Sequence, residues 1–150
     1  MTRIERSVTI DVPPERIFQE LTSWDGLRRW SAITVDHTGP SRCSGVGDAF
    51  AQTIRLAGFL DLRTDWEVTA YDPPRSVAYR ATGPGGGRLR MRQDVEPAGD
   101  GGRLHLDVEY DLPGRAFGAV VDRLYARRRI RTDVERTLEN LRGLLERRRR

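Results

Sequence analysis

Polar side chains on the apolar faces of the predicted strands are the residues of this sequence best suited to chemistry. Strand alternation places Gln52, Thr64, Tyr79 and Gln93 on otherwise apolar faces, with the indole N–H of Trp66 beside them. A buried amide or hydroxyl without a partner costs roughly 1–3 kcal/mol. These groups therefore either bond one another and buried water in a satisfied core, or they line a pocket and orient a ligand.

Two arginines interrupt the apolar stripe of the predicted C-terminal helix. On a helical wheel that starts at Val120, Arg127 and Arg131 flank the centre of the stripe, one turn apart. An unpaired guanidinium in a dry core is prohibitively costly. Either the helix slips in phase and presents Ile130 instead, or the arginines lie at a wet cavity mouth, or they pair with an acidic or carbonyl-rich ligand. We expect Arg127 or Arg131 to reach the cavity or its mouth.

Other motifs in the sequence favour structural interpretations. The glycine-rich run at 83–87 lies between two strands and lacks the Lys-Ser/Thr of a phosphate loop, so it predicts a hairpin turn. Cys43 lies in a loop without an adjacent His-Asp pair, which argues against a hydrolytic triad. His105 falls on the wet face of its strand and His37 ends a short strand. One Cys and two His do not make a typical zinc site, so we expect no metal and no cofactor.

The pattern of elements predicts an antiparallel sheet with one buried face. Residues 3–10 alternate as a strand, and Pro13-Pro14 ends it before two short helices that reach Trp30. Six further alternating segments follow between residues 33 and 110, separated by turns rich in Gly and Pro. Apolar residues recur on only one side of each segment, which is typical of a sheet with one wet face.

The last third of the sequence predicts one long amphipathic helix. Nothing between Gly114 and the terminal arginines interrupts a helix over about 115–147, which would be roughly 50 Å long. A sheet that must bury one whole face, with a single long helix to cover it, will wrap around that helix. We therefore predict an α+β fold: a curved, antiparallel, seven-stranded sheet around a long C-terminal helix, with two short helices after the first strand.

Length and composition fit one globular domain over residues 1–150. Hydrophobic residues make up 37% of the chain and charged residues 32%, and no apolar run approaches the ~18 residues of a membrane span. The N-terminus lacks a signal peptide, and the single cysteine excludes an intrachain disulfide, so we expect a cytoplasmic protein.

Charge is unevenly distributed along the chain. From Arg115 onward, 12 arginines against five acidic residues give +7, which leaves −3 for the preceding part of a chain whose net charge is +4. A basic helix packed on an acidic body explains this distribution; a nucleic-acid or anionic-membrane patch is the alternative. We expect no specific nucleic-acid partner, only salt-sensitive association through residues 147–150.

The order of these elements resembles the START-like, or SRPBCC, superfamily, and within it the polyketide cyclase/dehydrase and lipid-transport group. The resemblance covers nearly the whole chain. Its carriers are Ser7 to Phe18 with Leu21 and Trp30, Gly47-Asp48, Tyr71 to Arg75, Leu124 to Arg129, and Leu138, Leu141, Leu144, Leu145 and Glu146. The resemblance implies a helix-grip fold that encloses a small, mostly hydrophobic molecule between sheet and long helix.

We expect a mostly apolar pocket on the order of 300–1,000 Å³. Twelve residues are predicted to line it: Trp30, Phe50, Gln52, Thr64, Trp66, Tyr79, Met91, Gln93, Phe117, Leu124, Arg127 and Arg131.

Two functions fit the resemblance. In a polyketide-type cyclase or dehydrase, Arg127 or Arg131 would stabilise an enolate, and Tyr79, or a water held by Gln52 and Gln93, would move a proton. In a non-catalytic carrier of lipids or hydrophobic metabolites, apolar area and a few orienting bonds would suffice. Strand parity and the helical wheel place no carboxylate on the inward face, which slightly favours the carrier.

Overall fold

The computed structural model describes residues 2–111 and 123–148, and its element order is the one that the sequence predicts. The elements are β1 (Thr2–Ile10), α1 (Pro14–Leu21), a 3₁₀ turn (Trp24–Gly26) leading into α2 (Leu27–Trp30), β2 (Thr34–Thr38), β3 (Ala49–Leu56), β4 (Leu60–Asp72), β5 (Ser76–Thr82), a 3₁₀ turn (Pro84–Gly86), β6 (Arg88–Ala98), β7 (Gly101–Asp111) and α3 (Arg123–Arg148). The predicted helix start at 115 lies outside the described residues.

The seven strands form one antiparallel sheet in the order β1-β7-β6-β5-β4-β3-β2. Each hairpin joins neighbouring strands, and β7 returns to pair with β1 over its whole length. The sheet is curved, and α3 lies against its concave face, where it contacts β1, β3 and α2. This is the predicted helix-grip architecture. None of the described helices has the length and apolar character that a membrane crossing requires.

Strand alternation separates the two faces of the sheet. In β7, Leu104, Leu106, Val108 and Tyr110 are buried on the concave face. The convex face carries ion pairs between neighbouring strands, such as the two-bond contact of Arg3 with Asp107 at 3.0 and 2.7 Å. The concave face therefore supplies the core, and the convex face is solvated.

A close approach at the start of β7 holds α1 on the sheet. A Cβ atom on Gly102 would lie 2.6 Å from Cδ1 of Ile17 and 3.1 Å from Cα of Pro14. Only glycine leaves room for the first turn of α1 at this distance. At the far end of the chain, the Arg148 guanidinium pairs with the buried Glu20 carboxylate of α1 at 3.4 Å. The C-terminal end of α3 and α1 thus close one end of the grip.

Candidate functional site: a cavity between sheet and long helix

A largely apolar cavity of about 140 Å³ lies between the concave face and α3. It is smaller than the volume expected from the sequence, because four aromatic rings occupy this side of the sheet. Phe50 stacks on Trp66 with ring centroids 5.9 Å apart, and Tyr79 meets both rings edge-on. Trp24 packs against Phe50 at 4.6 Å. These rings form an aromatic wall whose side chains fill space that smaller residues would leave open.

Two of the predicted polar residues use their hydrogen bonds within the wall. Trp66 Nε1 donates to Thr64 Oγ1 at 2.8 Å, and Thr64 Oγ1 in turn donates to the backbone carbonyl of Gln52 at 2.8 Å. This chain of donors satisfies both side chains. Thr64 and Trp66 therefore shape the cavity without offering a free polar atom to a ligand.

Only the oxygen of the Gln52 side-chain amide has a hydrogen-bond partner among the described residues. Its Oε1 accepts a hydrogen bond from Thr34 Oγ1 at 2.8 Å, and Thr34 Oγ1 also lies 2.7 Å from Ser31 Oγ. No described residue accepts a hydrogen bond from Gln52 Nε2. With the amide oxygen towards Thr34, the NH₂ group is the half left for a ligand oxygen.

Tyr79 contributes a neutral hydroxyl to the cavity. Its oxygen accepts a hydrogen bond from Trp24 Nε1 at 3.1 Å, and burial raises the pKa of this phenol. The hydroxyl therefore keeps its proton at physiological pH. Because the oxygen is already an acceptor, the remaining proton is available as a donor.

Gln93 and Trp30, which also line the cavity, carry buried polar atoms without partners among the described residues. Gln93 Nε2 lies 3.6 Å from Met91 Sδ, but Gln93 Oε1 has no hydrogen-bond partner among the described residues. Trp30 Nε1 also has no hydrogen-bond partner among the described residues. Such atoms are costly in a dry core, and they are uncommon in native proteins.

The α3 wall of the cavity contains a carboxylate. Ile130, Asp133, Val134, Thr137 and Leu138 face the cavity from the helix. Asp133 is only 5% exposed, and its nearest cation is the Arg129 guanidinium, at 3.4 Å from Nε to Oδ1. Burial raises the pKa of Asp133 even though Arg129 and Arg136 act in the opposite direction. The expectation of no inward carboxylate was wrong.

Asp133 belongs to a polar strip that crosses the cavity wall. Thr137, one helical turn beyond Asp133, accepts a hydrogen bond from the backbone N–H of Ala32 at 2.9 Å. Ala32 stands between Ser31 and Thr34 in sequence, and Ser31 lies beside Thr34 Oγ1 in the Gln52 network. The Gln52 amide and Thr137 are thus linked through the segment between α2 and β2, and Asp133 lies one helical turn from Thr137.

The structure corrects the expectation that Arg127 or Arg131 reaches into the cavity, because α3 turns a different helical face towards it. Arg127 and Arg131 are exposed and do not line the cavity, whereas Ile130 is buried against it. Ile130 takes the inward position that the phase-slip interpretation gave it, and neither guanidinium enters the cavity. Both guanidiniums are still close enough to Tyr110 to lower the pKa of its hydroxyl, which burial otherwise raises.

Of the twelve predicted lining residues, eight line the cavity: Trp30, Phe50, Gln52, Thr64, Trp66, Tyr79, Met91 and Gln93. Leu124 is 51% exposed and lies outside the cavity, as do Arg127 and Arg131. Phe117 lies outside the described residues. The prediction missed Trp24 and the α3 residues Asp133 and Thr137. The signal for Asp133 and Thr137 was available in their spacing with Ile130 and Leu141, since all four share one helical face.

His37 and Cys43, which do not line the cavity, are not activated by their surroundings. Burial lowers the pKa of His37 and raises that of the Cys43 thiol, so neither gains charge or nucleophilicity from its surroundings. Within 2–111 and 123–148, no group of three or more His, Cys, Asp or Glu side chains could hold a metal ion.

Comparisons with known proteins agree with this architecture. A family model described as polyketide cyclase/dehydrase and lipid transport matches residues 1–146. An uncharacterized protein of Mycobacterium tuberculosis is 29% identical over 145 residues, which are 93% of this chain and 95% of that protein. A protein of the same organism that is named a toxin is 23% identical over 143 residues, with the same shares covered.

A solved structure extends the comparison to three dimensions. The Zhui aromatase/cyclase from Streptomyces sp. R1128 superposes with a TM-score of 0.78 at 19% identity, covering 99% of this chain and 96% of that chain. At this identity the likeness concerns the fold, and it places the present chain among helix-grip α+β structures.

Proposed function

Because the chain belongs to the polyketide cyclase/dehydrase and lipid-transport family, we propose that it encloses a compact, mostly apolar molecule carrying a carbonyl or hydroxyl group. The cavity supports this through its composition. An aromatic wall offers apolar area, while Gln52 Nε2, the Tyr79 hydroxyl and the Asp133 carboxyl offer a few polar contacts. This combination is typical of small-molecule sites.

The cavity volume sets the size of ligand that fits without rearrangement. A dry cavity of about 150 Å³ holds one benzene molecule. The present cavity, at about 140 Å³, therefore admits a single ring or a short branched chain. A larger polyketide would require the aromatic wall or α3 to move.

The observation that carries a catalytic role is Asp133. A carboxyl group that is buried in an apolar cavity and has a raised pKa is suited to both accept and donate a proton. In a dehydration, the carboxylate would remove a proton from the carbon beside a carbonyl, and the electron pair would form an enolate. The protonated Asp133 would then give that proton to the departing β-hydroxyl, which leaves as water while the enone forms.

Two donors would stabilise the enolate in this scheme. Gln52 Nε2 and the Tyr79 hydroxyl each have a proton that no described residue accepts. They replace the arginines of the initial hypothesis, because Arg127 and Arg131 are exposed. A hydrogen bond to developing negative charge strengthens in the transition state, so such donors favour enolisation.

The experiment has a binding arm and a reaction arm. Native mass spectrometry of the purified protein should detect a small co-purifying molecule or a one-to-one complex with added benzene. Dehydration of a short branched β-hydroxy ketone, which the cavity volume admits, to the conjugated enone should be followed by ultraviolet absorbance, comparing the parent chain with Asp133→Asn. Asp65→Asn, which changes an exposed carboxylate on the sheet, is the matched control.

The outcomes separate enzyme from carrier. Loss of enone formation in Asp133→Asn, with benzene binding kept and Asp65→Asn unaffected, is the result that the proposal predicts. Equal rates in parent and Asp133→Asn would contradict the catalytic role and leave a non-catalytic carrier of hydrophobic metabolites. Absence of any binding to the parent chain would overturn the cavity proposal itself.

Residues 1–150 are proposed to act as one ligand-binding domain in the cytoplasm. The lone cysteine supports a reducing compartment. We expect no sequence-specific nucleic-acid binding, since any association through residues 147–150 should disappear as salt is raised.

A further inference from the structure

Within residues 2–111 and 123–148, the cavity has its mouth at the end of the sheet opposite α1. Strands alternate in direction, so the β3–β4 turn at 57–59 and the β5–β6 turn at 83–87 lie at the same end. Gly83, Pro84, Gly87 and Arg88 of the second turn line the cavity, which therefore reaches this end.

The beginning of α3 lies at the same open end. A Cβ atom on Gly58 would lie 3.2 Å from Cζ of Arg129, so the β3–β4 turn touches this part of the helix. Tyr125 is one helical turn before Arg129 and therefore lies on the same side of α3. We call the β3–β4 turn, the β5–β6 turn and residues 124–131 the open rim.

The open rim exposes large apolar side chains. Phe59 is 53% exposed, Tyr125 50% and Leu124 51%. Among the described residues, the other large apolar side chain exposed to this degree is Val46, which precedes β3 at the opposite end of the sheet. Exposed apolar residues gathered in one place, unlike scattered ones, indicate an interaction surface.

The open rim is also positively charged. Arg127, Arg128 and Arg131 are exposed, and none forms an ion pair with a described residue. The sequence of 123–131 contains no acidic residue. On the convex face, by contrast, arginines such as Arg3 and Arg55 pair with carboxylates of neighbouring strands. Among the described residues, the Asp111 carboxylate at the end of β7 lies at the same end of the sheet, and the three unpaired arginines outnumber it.

We propose that the open rim docks on an anionic lipid bilayer, so that the mouth of the cavity faces the membrane. Phe59 and Tyr125 would enter the headgroup region, and Arg127, Arg128 and Arg131 would contact lipid phosphates. Apolar side chains beside clustered cations are the pattern of peripheral membrane binding. Anionic lipid complements both parts of the rim, since its phosphates match the arginines and its acyl boundary accepts the aromatic side chains. This goes beyond ligand binding and does not depend on it.

Sedimentation with lipid vesicles tests the docking without any cavity ligand. The full chain is mixed with vesicles of phosphatidylglycerol and phosphatidylcholine, or of phosphatidylcholine alone. Binding should require the anionic lipid and weaken with salt. The double variant Arg127→Gln/Arg131→Gln should bind about thirtyfold more weakly, since each cation near an anionic surface contributes about fivefold. Arg63→Gln/Arg90→Gln, which removes two exposed arginines from the convex face, is the matched control and should lose much less.

The apolar part of the proposal has its own pair of variants. Phe59→Ser should weaken vesicle binding about tenfold, the value of burying half a phenyl side chain. Val46→Ser removes an equally exposed apolar residue at the opposite end and should leave binding unchanged. Equal binding by Phe59→Ser and the parent chain would show a purely electrostatic contact, and failure of the parent to bind anionic vesicles would overturn the proposal outright. Neither result would alter benzene binding in solution, which tests the cavity separately.

Discussion

The two halves of α3 pack against the same sheet but have different tasks. In the second half, Leu141 and Leu145 are nearly inaccessible to solvent and do not line the cavity, and Asn140 donates a hydrogen bond to the backbone carbonyl of Trp30. In the first half, Ile130 and Asp133 border the cavity. One helix thus anchors the fold at one end and forms a binding wall at the other. Alanine substitutions on its buried face should therefore lower the free energy of unfolding more in the second half than in the first.

The largest expected effect is in the anchoring half. Leu141→Ala should lower the free energy of unfolding by about 3–4 kcal/mol, because the fully buried side chain leaves a cavity that its neighbours cannot fill. Urea unfolding measures the change. A loss below about 1 kcal/mol would show that this half is not tightly packed and would remove the contrast with the first half.

Ile130→Ala should cost less, about 1–2 kcal/mol, because one side of Ile130 already borders empty space and fewer contacts are lost. The enlarged cavity should also accept ligands of two rings. Urea unfolding and native mass spectrometry with naphthalene provide the two measurements. A loss equal to that of Leu141→Ala would mean that the two halves pack alike.

Asp133→Asn should raise the free energy of unfolding by about 1 kcal/mol at pH 7, because it removes a charge from an apolar wall. Burial raises the pKa of Asp133 in the folded state above its unfolded value. The folded state therefore binds this proton more tightly, and its stability falls as pH rises through the folded pKa. The benefit of the variant should thus vanish below the unfolded pKa of an aspartate, about 3.9. A benefit that instead grows in acid would contradict the pKa direction.

The smallest effects are expected at the arginines of the first half. Arg127→Leu and Arg131→Leu should each change the free energy of unfolding by less than about 0.5 kcal/mol, as is usual for exposed positions. Benzene binding should also stay the same. A loss of benzene affinity in either variant would show that these side chains contact the bound ligand.

Strand parity could be predicted almost completely from the sequence. In β6, Leu89, Met91, Gln93 and Val95 face inward as predicted, since successive strand residues point to opposite faces without drift. The cavity residues on strands followed directly from that alternation. This explains why every predicted lining residue on the sheet lies where the sequence placed it.

Which face of α3 is buried could not be predicted as reliably. The wheel was anchored on Val120 and on the apolar residues, but the buried face includes Asp133 and Thr137, whereas Leu124 is half exposed. Where a binding wall contains polar residues, the sequence pattern wrongly indicates that this helical face is exposed to solvent. The cavity volume depends on how the rings of Phe50 and Trp66 stack, which alternation does not encode.

The central claim is that a single-ring molecule binds between the aromatic wall and the first half of α3. Nuclear magnetic resonance with added benzene tests it most directly, because all three tryptophans line the cavity and their indole N–H signals report on it. We predict saturable shifts of the Trp24, Trp30 and Trp66 indole signals, with the backbone amide of Arg3 unchanged, since no residue of β1 lines the cavity. Indole signals that stay fixed at saturating benzene, or that shift no more than the Arg3 amide, would contradict the account.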